Sequence, residues 1–247
     1  MLLDGANSEK AAVPINAGLH GYNAIDSVKS ALEKACPGVV SCADILAFAS
    51  RDSVILSGGK GWQVPSGRRD GRISRASEPP LNLPTQTMNA SQLIAVFKRK
   101  GLSAKQMTIL SGSHTIGIAH CFFIFNRLFT YPSPSHTDPE LPKKFLDVLQ
   151  QKCPNNFTSA INPLPLDVKT PGKFDTQYWR NILKREGLLT SDQTLLDDKR
   201  TSPYVYKSLN AGYFGRQFGD AMVAMTNVGV LTGKKGEIRK SCRFVNT

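Results

Sequence analysis

No stretch of this chain is apolar for the roughly 18–20 residues that a membrane-spanning helix needs, so a transmembrane span is not expected. The opening "MLLDGANSEKAA" has neither the charged start and apolar run of a signal peptide nor the arginine-rich pattern of a transit peptide. There is no C-x-x-C pair and there are only four histidines, which excludes the usual structural zinc sites. H-E-x-x-H is absent, and so is G-x-S-x-G, which removes the zinc-protease helix and the serine nucleophile elbow. Runs alternating apolar and polar are scarce, and nothing repeats at a fixed period.

What is present is ordinary globular composition: 40% hydrophobic and 20% charged residues in a chain long enough for a sizeable core. The 31 basic and 19 acidic residues give a formal charge of +12. The basic residues are scattered, and the densest group, "GKKGEIRKSCR", has no interleaved aromatics, so a solvated basic surface is favoured over a nucleic-acid site. The five cysteines, Cys36, Cys42, Cys121, Cys153 and Cys242, suggest two disulfides and one orphan thiol. The sequons at Asn89 and Asn156 point the same way, to a secretory history.

Helical periodicity dominates. "NAIDSVKSALEKACPG" places Ile25, Val28, Leu32 and Ala35 on one face and stops at Pro37-Gly38. "SCADILAFASRDSVILSGG" follows with Ser41 as its cap, then a turn-rich loop, then "ASQLIAVFKRKGL" and the Ser103-capped "SAKQMTILSG". "PELPKKFLDVLQQKC", "TQYWRNILKREGLL" and "SPYVYKSLNAGYFGRQFGDAMVAMTNVGV" read as three more helices. The expectation is one mainly α domain, residues 1–247, of about eight helices joined by long ordered loops.

The segment "LSGSHTIGIAHC" holds the most pointed chemistry. His114 stands among Ser111, Gly112, Ser113, Thr115 and Gly117, and small neighbours let something bulky approach the backbone. His120, six positions on, would face elsewhere on a helix, while His20 and His136 read as packed or surface residues. One histidine with cleared space suits a flat cofactor, since haem iron needs a single proximal ligand. Such a ligand wants an acceptor on its other nitrogen; Asp192 in "LLTSDQTLL" is a candidate, or equally a cap. "LDVKTPGKFD" brings Asp167, Thr170 and Asp175 within nine residues, which reads as a hard-cation loop or as an Asx-rich turn.

The motifs "ACPGVVSCADILAFASRDSV", "GWQVPSGRRDG", "NLPTQT", "LSGSHTIGIAHC", "LDVKTPGKFD", "GLLTSDQTLL" and "GEIRKSCRFVN" stand in an order that closely resembles the secretory plant haem peroxidases, the class III or horseradish type. The resemblance runs from about residue 2 to the end. It implies the haem-peroxidase fold, with haem b held by His114 and Asp192 accepting a hydrogen bond from that ligand. It implies a proximal calcium site of Thr115, Asp167, Thr170, the Lys173 carbonyl and Asp175. Pro84 matches the mouth of the reducing-substrate channel, and Asp44 and Arg68 match a buried ion pair. Cys42 is expected to pair with Cys242 and Cys121 with Cys153.

The chain also departs from that family. The pattern R-x-x-F-H-D-C, whose histidine and arginine handle peroxide, does not occur in it. The resemblance therefore implies a domain incomplete at its N-terminus, without the distal helices or the distal calcium site, and leaves Cys36 as the orphan. Counting from Glu9, the family's distal asparagine falls on Ile15, with Asn16 one place on. The expected function is H2O2-dependent oxidation of small phenolic donors, in H2O2 catabolism and the response to oxidative stress. The alternative is a catalytically inactive remnant that binds haem or is merely structural. By family the protein is expected to be an extracellular or vacuolar monomer, with no nucleic-acid or membrane partner.

Overall fold

The computed structural model describes every residue of the chain except Pro14, Ile15 and Ala17, so the expectation at Ile15 lies outside the described residues. Among those described, eleven α-helices form: α1 (Tyr22–Ala35), α2 (Cys42–Leu56), α3 (Glu78–Asn82), α4 (Ala90–Arg99), α5 (Ala104–Ser111), α6 (Phe125–Leu128), α7 (Lys143–Lys152), α8 (Gln177–Leu183), α9 (Thr190–Gln193), α10 (Ser202–Lys207) and α11 (Ala211–Thr226). The mainly α expectation holds. The count exceeds eight because α3, α6 and α9 have only four or five residues, too few for a 3.6 period to show. The last expected helix is two, because Asn210 stops the run and its side chain accepts the Tyr213 N–H at 2.8 Å as α11 begins. Extended structure is confined to β1 (Ile118–His120) and β2 (Pro163–Pro165), paired antiparallel with Ala119 opposite Leu164.

The expected caps form. Ser103 and Gln106 make a reciprocal capping box at α5; a cap that was not expected, Asn89 with Gln92, makes another at α4. The Ser41 hydroxyl accepts the Asp44 N–H at 3.0 Å. The two N–H groups that open α2, those of Cys42 and Ala43, go to Asp70, at 3.1 and 2.8 Å. Asp70 is 3% exposed and also takes the Arg239 N–H, a structural role invisible in the sequence.

The chain divides into two compact units. One comprises Met1–Ser53, Trp62–Leu83 and Val223–Thr247; the other comprises Val54–Gly61 and Pro84–Met222. In the first, the Cys42–Cys242 disulfide spans 200 positions and packs with Leu2. Such a long closed loop raises stability mainly by restricting the unfolded chain, by about 4–5 kcal/mol in the loop-entropy account. Cys36 follows α1 as a free, half-buried thiol. Asn16 is buried, and its side-chain amide donates to the Glu9 carbonyl at 2.6 Å.

Asp44 and Arg68 lie 3.1 Å apart in the same unit, both nearly sealed from solvent. The guanidinium is further satisfied by the Thr226 carbonyl at 2.9 Å and the Thr226 hydroxyl at 2.8 Å, and Asp44 accepts the Gly67 N–H at 2.7 Å. In the second unit the Cys121–Cys153 disulfide sits in a core with Ile124, Leu128, Leu149 and Leu164. A second buried pair, Arg127–Asp138 at 2.7 Å, stands beside it, with Arg127 donating to the Gly187 and Leu188 carbonyls.

A buried charge stripped of its partner keeps its desolvation cost. Asp44→Ala is therefore expected to lower unfolding free energy by about 3–5 kcal/mol, whereas the double change Asp44→Leu/Arg68→Met loses less. Urea midpoints of the two variants check this.

Candidate functional site

His114 is presented by a short break in helical order. Helix α5 ends at Ser111, and Gly112–Thr115 tightens into a 3-10 turn that carries the imidazole. Gly112 is required there, because a Cβ would fall 2.5 Å from the Phe214 ring and 2.6 Å from Trp179. This corrects the reading of the small residues: at Gly112 the cleared space is filled by the protein's own aromatic rings. Gly117 serves the backbone instead, at φ 97°, a left-handed value that suits glycine. His120 lies on β1 and not on a helix with His114.

The Nδ1 of His114 is 2.8 Å from Oδ1 of Asp192, the contact that the acceptor reading requires. Asp192 is 2% exposed on the single turn of α9. The same Oδ1 accepts the hydroxyl of Tyr178, also at 2.8 Å, and the Tyr178 ring meets the imidazole edge-on, centroids 6.2 Å apart. Tyr178 carried no expectation; one tyrosine in "TQYWRNIL" gives no signal that its hydroxyl reaches Asp192.

Burial pulls the His114 imidazole towards its neutral form, but the charge of Asp192 and the hydrogen bond to it prevail, and its pKa lies above the ordinary value. Burial, reinforced by the neighbouring Asp192 carboxylate and the bond to it, holds the Tyr178 phenol well above its usual range and therefore protonated. With an ionised acceptor, Nδ1 carries the proton and Nε2 holds the free lone pair. The imidazole keeps 35% of its side-chain surface exposed although Nδ1 is tied inside. A buried acceptor behind one nitrogen and a partly exposed ring are compatible with a haem ligand.

The expected calcium residues fall into two close sets. The Thr115 hydroxyl lies 3.1 Å from the Lys173 carbonyl and 3.4 Å from Asp175 Oδ1. The Thr170 hydroxyl lies 3.3 Å from Asp167 Oδ2. Oxygens at about 2.3–2.6 Å from one calcium ion stand roughly 2.7–3.7 Å from their neighbours, so these spacings fit. The turn reading is present too: Asp167 Oδ1 accepts the N–H groups of Lys169 and Thr170 and the amide of Asn181. One oxygen makes the turn, leaving Oδ2 towards Thr170. Among the described residues no three His, Cys, Asp or Glu side chains gather as a metal cluster; this set has two carboxylates, completed by hydroxyls and a carbonyl.

Pro84 is exposed just before a segment that is tied down close to the acceptor, where the Gln86 carbonyl accepts the Ser191 N–H at 3.0 Å.

Comparison with known proteins gives the family. A family model described as peroxidase matches residues 1–211. The chain is 44% identical to Peroxidase 56 of Arabidopsis thaliana over 247 residues, covering 99% of this chain and 74% of that protein. It is 45% identical to Peroxidase 27 of Arabidopsis thaliana and 44% identical to Peroxidase 5 of Vitis vinifera, each across all of this chain and 76% of the relative. The chain belongs to the plant peroxidase family. Family membership thus rests on identity along the whole chain, and the His114–Asp192 pair is what this peroxidase chain offers chemically.

Gly112→Ala is expected to destabilise the protein by about 1–3 kcal/mol, because its methyl overlaps the rings of Phe214 and Trp179. A lowered urea midpoint with unchanged slope checks it.

Proposed function

We propose that the protein is a haem peroxidase that oxidises small phenolic donors with hydrogen peroxide, in peroxide breakdown and the response to oxidative stress. The observation that carries the reading is the 2.8 Å bond from His114 Nδ1 to the buried Asp192, with the imidazole still 35% exposed. The names of its relatives support it. Bound through Nε2, haem b would supply the redox chemistry: two-electron reduction of peroxide and one-electron oxidation of donors.

The chain's own share is proximal. Asp192 holds the Nδ1 proton and makes the imidazole a stronger electron donor. Burial of Asp192 and Tyr178 keeps water from replacing either bond. Thr115, Asp167, Thr170, the Lys173 carbonyl and Asp175 would hold one calcium ion, and Thr115 directly follows the ligand in the chain. Pro84 is proposed to border the path of the donor. The family match crosses both compact units, so residues 1–247 are read as one functional domain.

A secretory route, to the cell exterior or the vacuole, follows from the two disulfides and the sequons. Asn89 and Asn156 are exposed, and each uses its side-chain oxygen as an acceptor, from Gln92 and Ser159. We propose a monomer with no nucleic-acid or membrane partner; no helix of the described residues is long and apolar enough to cross a bilayer.

Haem titration tests the ligand. The chain is expected to take up one haem with the spectrum of a histidine-ligated iron, and His114→Ala to lose it. Uptake is expected to weaken as pH falls through the raised imidazole pKa, since a proton then competes with iron for Nε2. A spectrum unchanged in His114→Ala would refute the assignment. Calcium is expected to raise the melting temperature of the chain, with Asp175→Ala removing most of the gain; an equal gain in the variant would place calcium elsewhere.

A further inference from the structure

The reading above gives the Tyr178 hydroxyl no effect on the ligand itself, yet its position is more specific than packing requires. Its hydroxyl and the His114 Nδ1 both lie 2.8 Å from one oxygen of Asp192. Its ring is fixed edge-on to Trp179, centroids 4.8 Å apart, and Trp179 is fully buried. Tyr178 itself is 2% exposed. The tyrosine cannot turn away without opening the core, and with Asp192 equally buried no bulk water is at hand to replace its hydrogen bond.

We propose that Tyr178 is a positioning residue for the haem ligand: by sharing Oδ1 of Asp192 with His114, it limits how strongly that carboxylate draws the Nδ1 proton. An ionised oxygen that accepts two charge-assisted hydrogen bonds has less electron density to offer each. With the tyrosine hydroxyl in place, the imidazole is an intermediate donor to iron. Without it, Asp192 pulls harder on Nδ1, and Nε2 becomes the stronger donor. The ring of Tyr178 has a second effect, holding the imidazole plane from its edge. This inference rests on His114 being the iron ligand.

The test uses the whole chain with haem bound and the variant Tyr178→Phe, which keeps the ring and removes the hydroxyl. The ferrous iron–imidazole stretching band is expected to rise in frequency. The ferric-to-ferrous equilibrium is expected to move about tenfold towards ferric iron, a potential about 59 mV lower for a one-electron couple. In an Asp192→Asn background the same change is expected to shift neither, because the hydroxyl acts only through that carboxylate. Trp179→Phe, which alters an equally buried neighbour, is expected to change stability and leave both readings in place. In the haem-free chain at fixed pH, the Nδ1 proton resonance of His114 is expected to move downfield in Tyr178→Phe. A Tyr178→Phe protein that melts earlier but leaves band, potential and proton resonance unmoved would overturn the proposal. So would an equal shift in the Asp192→Asn background. A haem spectrum indifferent to His114 would instead overturn the ligand reading, and the proton resonance of the haem-free chain would still decide whether the oxygen is shared.

Discussion

Asp192 is a carboxylate removed from water, and the arrangement around it follows from the need to satisfy it. A buried ionised oxygen is costly unless donors converge on it. Here two converge on Oδ1, one from the 3-10 turn after α5 and one from α8. The turn of α9 that carries Asp192 is too short to hold a side chain by itself. It is fixed from outside, by the Gln86 carbonyl on the Ser191 N–H and by the Gln193 side chain, which bonds the Ile182 carbonyl at 3.0 Å and the Gly187 N–H at 3.2 Å. The result is an imidazole whose rotation and tautomer are set before any cofactor arrives.

The oxygen-rich loop bears on the same residues. Thr115 is next to His114, and its hydroxyl reaches the Lys173 carbonyl. Asp175, 3.4 Å from that hydroxyl, accepts the N–H of Gln177, the residue before Tyr178. An ion held by these oxygens would tie the turn bearing the ligand to the start of the helix bearing the tyrosine. On this account calcium and haem are linked through rigid local geometry, with no contact between them needed.

The readable parts of this architecture were those carried by local rules. Capping residues at Ser41 and Ser103, helical periodicity in the longer helices, and the hydroxyl and carboxylates of "LDVKTPGKFD" are set by neighbours in the chain, so they can be seen without a structure. The resemblance to known peroxidases brought together residues that are distant in sequence: His114 with Asp192, Asp44 with Arg68, Cys42 with Cys242. Neither source showed Tyr178 on Asp192, Asp70 at the start of α2, or Arg127 with Asp138. Each of those joins a common residue type to a distant partner with no spacing to mark it. Gly112 was misread for a related reason. A glycine signals close approach but does not say by what, and Phe214 lies more than a hundred positions away. The three shortest helices, α3, α6 and α9, were missed because a single turn has no period.

The central claim is that the Asp192-bound imidazole of His114 is the axial ligand of a haem. A crystal structure of the haem-loaded chain tests it most directly. The account predicts iron within bonding distance of His114 Nε2, with Nδ1 still on Asp192 Oδ1 and the Tyr178 hydroxyl on the same oxygen. Iron bound by another residue such as His20, or Asp192 turned away from the imidazole once haem is in place, would contradict it.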